Sequence, residues 1–378
     1  MAIKIDVLMP SSSQYGVLHH FTQKLYEALV REGAACRLLS GDDRVLAPWN
    51  NPPDLTLGFN GALQMEDGSF FCDLIKVPHV ACLVDPPYRF LNLTKSPFII
   101  IACDDREGCR LLKQRHFERT DFMAHAVESD LKAGIEKIYD MVFLGTCIDA
   151  EGRQKKWGKE FAPEILLLMK EVCDKALKDV DASFMSLLAE KLDPSEHQKV
   201  FEEVEMYIKG MDRLRLLGAF PERKIDVFGG NDGKTGWKKL LKQHSNVVVH
   251  PAVSFEDSLK IMQQSRIVLN SSIKNKLGAH ERIFSAMASG AVVVTNDNSL
   301  MREYFKVGKE ILLFTSQNLE EVRQSVNELL GDESKRKRVA DGGRKRVMQG
   351  HTWDHRAKQL LTDIAPLLKE IKKKTSVP

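Results

Sequence analysis

The segment Asn270 to Asn296, NSSIKNKLGAHERIFSAMASGAVVVTN, gathers the residues best suited to chemistry on a phosphorylated ligand. It reads as strand, polar loop, helix, glycine stop and strand. The loop follows the carboxyl end of the apolar run Arg266 to Leu269, where open α/β sheets bind ligands. A helix beginning near Ala279 aims unpaired N–H groups and its positive dipole end at that loop, which suits a phosphate. Arg282 adds a fixed fork of donors, and Glu281 offers a carboxylate to ribose or sugar hydroxyls. An ordinary capped helix with solvent-facing charges has the same pattern. In Gly229-Gly230-Asn231-Asp232-Gly233-Lys234 the glycines let backbone N–H groups approach a pyrophosphate closely, although a plain turn uses the same residues. The spacing matches neither the dinucleotide fingerprint nor the nucleoside-triphosphate loop, which argues against dehydrogenases and kinases. No metal is expected, because no Asp-x-Asp ends a strand and the side chains of Asp42-Asp43 and Asp104-Asp105 diverge.

The elements that must hold these residues recur along the whole chain. Ile3 to Met9 is short and almost wholly apolar, as in a strand covered on both faces. A Ser/Gly loop, Ser11 to Gly16, leads to an amphipathic helix with Leu18, Phe21, Leu25 and Leu29 at helical spacing, stopped by Gly33. Strand-like runs follow at Ala35 to Leu39, Leu55 to Phe59, His79 to Val84, Phe98 to Ala102 and Asp121 to Ala124. After a linker, Ser129 to Lys137, a second series contains Asp140 to Thr146, Lys224 to Phe228, Asn246 to His250, Arg266 to Leu269, Ala291 to Thr295 and Ile311 to Phe314. Ser254-Phe255-Glu256-Asp257 is a capping-box-like helix start. Between Trp157 and Leu217 no strand signal occurs, which predicts two or three inserted helices. Helices close the chain at Leu319 to Leu330, Glu333 to Met348 and Trp353 to Lys373. Two Rossmann-like α/β domains in tandem follow from this alternation.

With 378 residues the chain can fill two domains. A net charge of +3 indicates neither nucleic acid nor membrane as partner, and the basic tail Lys369 to Lys374 reads as a solvated helix end. Seven scattered cysteines without a C-x-x-C pair argue against a zinc ribbon or disulfide framework and for a reducing, cytoplasmic location. No apolar stretch nears the roughly 20 residues of a membrane span.

The Asn270–Asn296 segment resembles the donor-binding region of group 1 (GT4-like) GT-B glycosyltransferases, particularly the CgeB-like branch. The matching residues are Gly278, Glu281, Arg282, Phe284, Ala286 and Gly290, whereas Ser285 stands where the family has a ribose-binding glutamate. Tyr139 to Thr146, Ile225 to Gly230, Pro53-Asp54-Leu55, Val84-Asp85-Pro86-Pro87 and His351-Thr352-Trp353-Asp354-His355-Arg356 are similar to further family motifs. The resemblance implies a GT-B fold, with two Rossmann-like domains facing each other across a cleft. The acceptor domain would span 1–137, completed by the helix 352–378. The donor domain would span 138–351, with a helical insertion at about 157–217. It implies a metal-independent, hexosyltransferase-type enzyme without a cofactor, acting on a UDP- or GDP-sugar and an unspecified acceptor hydroxyl or amine. Arg282 and Asp85 would be catalytic, Asp85 orienting the sugar or acting as general base. Gly229, Gly230, Lys234, His250, Ser271, Lys276, Gly278, His280, Glu281, Arg282 and Ser285 would line the donor site, and Ser12, Ser13 and Gly16 the N-terminal loop. A GT-B epimerase, a phosphorylase and a degenerate binding protein remain as alternatives.

Overall fold

Short apolar runs joined by amphipathic helices build two six-stranded sheets in which every strand pair is parallel. The computed structural model describes residues 2–231 and 236–375, with 372, 374 and 375 as backbone. The first sheet contains β1 (Lys4–Leu8), β2 (Ala35–Leu39), β3 (Leu55–Phe59), β4 (His79–Leu83), β5 (Ile99–Cys103) and β6 (Thr120–Phe122), in the order β2-β1-β3-β4-β5-β6. The second contains β7 (Tyr139–Leu144), β8 (Ile225–Phe228), β9 (Val247–His250), β10 (Ser265–Leu269), β11 (Val292–Asn296) and β12 (Leu312–Phe314). Its order, β12-β11-β10-β7-β8-β9, is the doubly wound one in which strand direction of travel reverses between β7 and β10. Every residue of β3, β4, β5 and β11 is buried, as strands covered by helices on both faces require.

The chain divides into two compact units, one running up to Ser129 and resuming at His351, the other from Asp130 to Gly350. In the first unit the Trp353–Thr375 helix returns to pack along the Val17–Arg31 helix. Trp353 is buried against Phe21 and Phe59, with ring centroids 5.4 and 6.2 Å away, and Arg356 donates to the Ala124 carbonyl at 2.8 Å. Val127 N–H donates to the His351 carbonyl and Trp353 N–H to that of Val127, at 3.1 and 3.0 Å. The His351-to-Arg356 motif is thus the seam that fastens the last helix.

Several boundaries differ from the sequence reading. The insertion holds four helices, Ala150–Glu160, Pro163–Lys178, Phe184–Ala189 and Gln198–Gly218, because its start lies inside a helix: Trp157 is fully buried and its indole N–H donates to Glu203 at 3.1 Å. Strand β6 begins and ends earlier than Asp121 to Ala124. The helix placed near Ala279 starts at Glu281, since His280 is extended and caps it. Ser254 caps the Phe255–Gln263 helix, its Oγ accepting from Asp257 N–H at 3.1 Å, but the reciprocal bond of a capping box is not among the hydrogen bonds of the described residues.

Candidate functional site

The carboxyl ends of β7 and β10 flank the point where the second sheet reverses; the loop that begins at Asn270 leaves the sheet there, and the glycine turn at Gly229 leaves β8, the next strand beyond β7. After β7 the chain turns at Gly145; after β8, at Gly229. The turns touch so closely that a Cβ on Gly229 would lie 1.9 Å from the Gly145 carbonyl oxygen. Gly145 N–H donates to Phe228 and Cys147 N–H to Gly230, at 2.9 and 2.8 Å, extending the pairing beyond the strands. Trp237 closes the junction by donating to the Gly145 carbonyl at 2.9 Å.

After β10, Asn270 is fully buried and holds Thr295 Oγ1 through its amide at 2.9 Å. Its carbonyl oxygen accepts from Arg282 Nη1 at 3.4 Å, which aims the guanidinium along the strand end. The Glu281–Ala288 helix carries Glu281 and Arg282 in its first turn, where a carboxylate also matches the helix dipole. Glu281 lies 3.6 Å from Arg282 and contacts His280. His280 Nδ1 faces both the Arg282 N–H, at 3.3 Å, and the Glu281 carboxylate. A neutral ring accepts from the amide; a protonated one donates to the carboxylate. Ser285 is buried one turn after Glu281, on the same face of the helix. Gly278 is held by Asn298, whose amide donates to its carbonyl at 3.1 Å.

The inserted Gln198–Gly218 helix reaches this region through a buried pair that sequence reading missed. Asp212 accepts from Ser271 Oγ at 2.6 Å and from Asn296 Nδ2 at 3.0 Å, tying the helix to the loop after β10 and the end of β11. Burial nevertheless raises the Asp212 pKa. Arg213, its neighbour, donates to the Thr146 carbonyl beside the β7 turn. Their helix lies far off in sequence, so no local pattern marks either residue; the one available signal is the adjacent Asp-Arg pair in an otherwise amphipathic helix.

Other expected site residues take different surroundings. Lys276 is buried and donates to the carbonyls of Ala176 and Asp179, both at 3.0 Å. It therefore compensates a helix carboxyl end. His250, on the edge strand β9, stacks on Phe228 at 4.3 Å and meets Asp226 at 2.7 Å. Lys234 lies outside the described residues.

In the first unit, Asp85 follows β4 and is half-buried. Asn60, after β3, donates to Asp85 Oδ2 at 2.9 Å while its own oxygen accepts from Val84 N–H at 2.9 Å. Asn60 has φ 52°, a left-handed conformation that asparagine tolerates, and it fixes the carboxylate's direction. Of the loop after β1, Ser12 is exposed, Ser13 Oγ accepts from Leu18 N–H in the first turn of the following helix at 2.8 Å, and Gly16 has φ 80°. Among the described residues, no helix is long and apolar enough to cross a membrane.

A family model described as glycosyl transferase-like matches residues 210–362, a span that includes the buried Asp212–Arg213 pair, the glycine turn after β8 and the Glu281–Ala288 helix. No curated protein sequence matches the chain. Solved structures do. AviGT4, a glycosyltransferase involved in avilamycin A biosynthesis, is 12% identical, with a TM-score of 0.57, covering 97% of this chain and 98% of its own. HepE of Anabaena, solved in complex with UDP-glucose, is 13% identical, with a TM-score of 0.56, over 96% of this chain and all of its own. Sucrose-phosphate synthase from Thermosynechococcus elongatus is 10% identical, with a TM-score of 0.57, over 97% of this chain and all of its own. The chain has the two-domain α/β fold of GT-B glycosyltransferases.

Proposed function

We propose that the protein is a glycosyltransferase of the CgeB-like branch, moving a hexose from a nucleoside diphosphate sugar to an acceptor hydroxyl or amine. The observation that carries this reading is the switch point of the second sheet. There a helix amino end with Arg282 and Glu281 stands beside contacting glycine turns, on a fold shared with nucleotide-sugar enzymes. In the reaction the bond from the sugar's anomeric carbon to the diphosphate breaks, the acceptor heteroatom bonds to that carbon, and the acceptor loses its proton. Arg282 and the helix N–H groups neutralise charge growing on the diphosphate, without a metal or cofactor. Glu281 accepts from ribose or sugar hydroxyls. Asp85, oriented by Asn60, serves the sugar or takes the acceptor proton. Buried free cysteines fit a cytoplasmic location.

A thermal-shift panel of nucleotides and nucleotide sugars tests the reading. A nucleoside diphosphate at about 100 times its dissociation constant should stabilise the protein by roughly 2.7 kcal/mol. A panel in which UDP, GDP and their sugars leave the transition unmoved would reject it.

A further inference from the structure

Arg213 is a buried cation whose charge the described residues leave without an ion pair. Its residue is 8% exposed, one guanidinium nitrogen holds the Thr146 carbonyl, and Nε has no hydrogen-bond partner. Unpaired buried donors are costly and rare, so one beside a ligand-binding strand end needs an explanation. The adjacent cation Lys209 differs, being matched by Glu205 at 3.2 Å.

Its location supplies the explanation. The guanidinium carbon lies 3.6 Å from where a Cβ on Gly145 would stand, and 6.0 Å from the centre of the Phe143 ring in β7. It therefore occupies the carboxyl end of β7, while Arg282, held by Asn270, occupies that of the neighbouring β10. The two cations feel each other: burial first, then the Arg282 charge, lowers the Arg213 pKa to about 10. Arg213 remains protonated at neutral pH, and among the described residues no carboxylate forms an ion pair with it, whereas Glu281 lies 3.6 Å from Arg282.

On the transferase reading proposed above, we infer that Arg213 is a second phosphate-binding arginine, clamping the donor diphosphate together with Arg282. The inserted helix thereby supplies part of the donor site. The diphosphate completes the guanidinium's hydrogen bonds and places a double negative charge between two like charges. A ligand with no phosphate cannot do either.

Calorimetric titration of the full chain with UDP, UMP and uridine, and with the guanosine series, tests this in the parent, Arg213→Met and Arg213→Lys. Methionine fills the buried volume without charge; lysine restores the charge but not the fork. Arg213→Met should weaken UDP or GDP binding roughly 10- to 100-fold, as loss of a charged hydrogen bond does, with uridine or guanosine binding unchanged and partial recovery in Arg213→Lys. A folded Arg213→Met variant that binds the diphosphate like the parent overturns the inference. So does equal weakening of diphosphate and nucleoside, which marks a turn-holding role. If Arg213→Met does not fold, the Arg213 Nε–H resonance of the isotope-labelled parent decides. It should shift with UDP or GDP and not with the nucleoside; no shift overturns the clamp. A parent that binds neither diphosphate rejects the transferase reading itself, and this inference with it.

Discussion

At the scale of single residues, Glu281 and Arg282 are neighbours with opposite charges and separable work. Arg282 presents a guanidinium that stays charged and matches phosphate geometry, so its contribution grows as charge moves onto the leaving diphosphate. Arg282→Ala should lower turnover about 10²–10³-fold, the usual cost of removing a preorganised donor. Glu281→Gln keeps a hydrogen-bond acceptor and removes the charge, so it should raise the donor dissociation constant about tenfold, or about 1.4 kcal/mol, with a smaller effect on turnover. Donor titration and steady-state kinetics on both variants check this, and parent-like behaviour in both removes the donor site from this helix. These two residues were legible in sequence because strand, loop, helix and glycine stop are contiguous. Asn60 and Arg213 were not. Each acts on a partner brought near by folding, Asp85 and the Thr146 carbonyl, and a residue type alone does not announce such a partner.

At the scale of elements, the turns after β7 and β8 are built by mutual approach, and Gly229 is the position with no room to spare. An alanine methyl would fall 1.9 Å from the Gly145 carbonyl oxygen, far inside van der Waals contact and against backbone rather than a movable side chain. Gly229→Ala should therefore push the turns apart, destabilise by about 1–3 kcal/mol as overpacking does, and weaken nucleotide binding. Gly331, at the exposed end of the Leu319–Gly331 helix with nothing near its Cβ position, is the control, and Gly331→Ala should change stability by less than about 1 kcal/mol. Thermal denaturation of both variants is the measurement; equal behaviour would mean that the turns can separate freely. The strands themselves were readable to within a few residues, since buried parallel strands are short apolar runs bounded by glycine or polar residues. The inserted helices were not delimited because their start carries Trp157 among charged residues, so its burial depends on Glu203 and Tyr207 in a helix further along the chain.

At the scale of the whole chain, the return of the last helix to the first sheet creates an electrostatic cost that the sequence does not reveal. Asp121 lies on the edge strand β6, and the Trp353–Thr375 helix brings Asp363 toward it. Burial, reinforced by the Asp363 charge, raises the Asp121 pKa to about 6, and its Oδ2 is buried with no hydrogen-bond partner. A carboxyl whose folded pKa exceeds its ordinary value near 3.9 binds its proton more tightly in the folded state. Its contribution to stability is therefore complete below pH of about 4, declines as pH rises, and is lost above about 6. Asp121→Asn keeps the shape and removes the charge, so it should raise the melting temperature at pH 8, by about 2–4 °C for each kcal/mol recovered. The difference from the parent should shrink as the pH falls through 6 and approach its minimum near pH 4. Asp363→Asn should lessen the parent's pH dependence in the same direction. Melting curves at pH 4.5, 6 and 8 decide the matter: a constant offset, or a variant less stable than the parent at pH 8, would show that the returning helix accommodates the Asp121 carboxylate without strain.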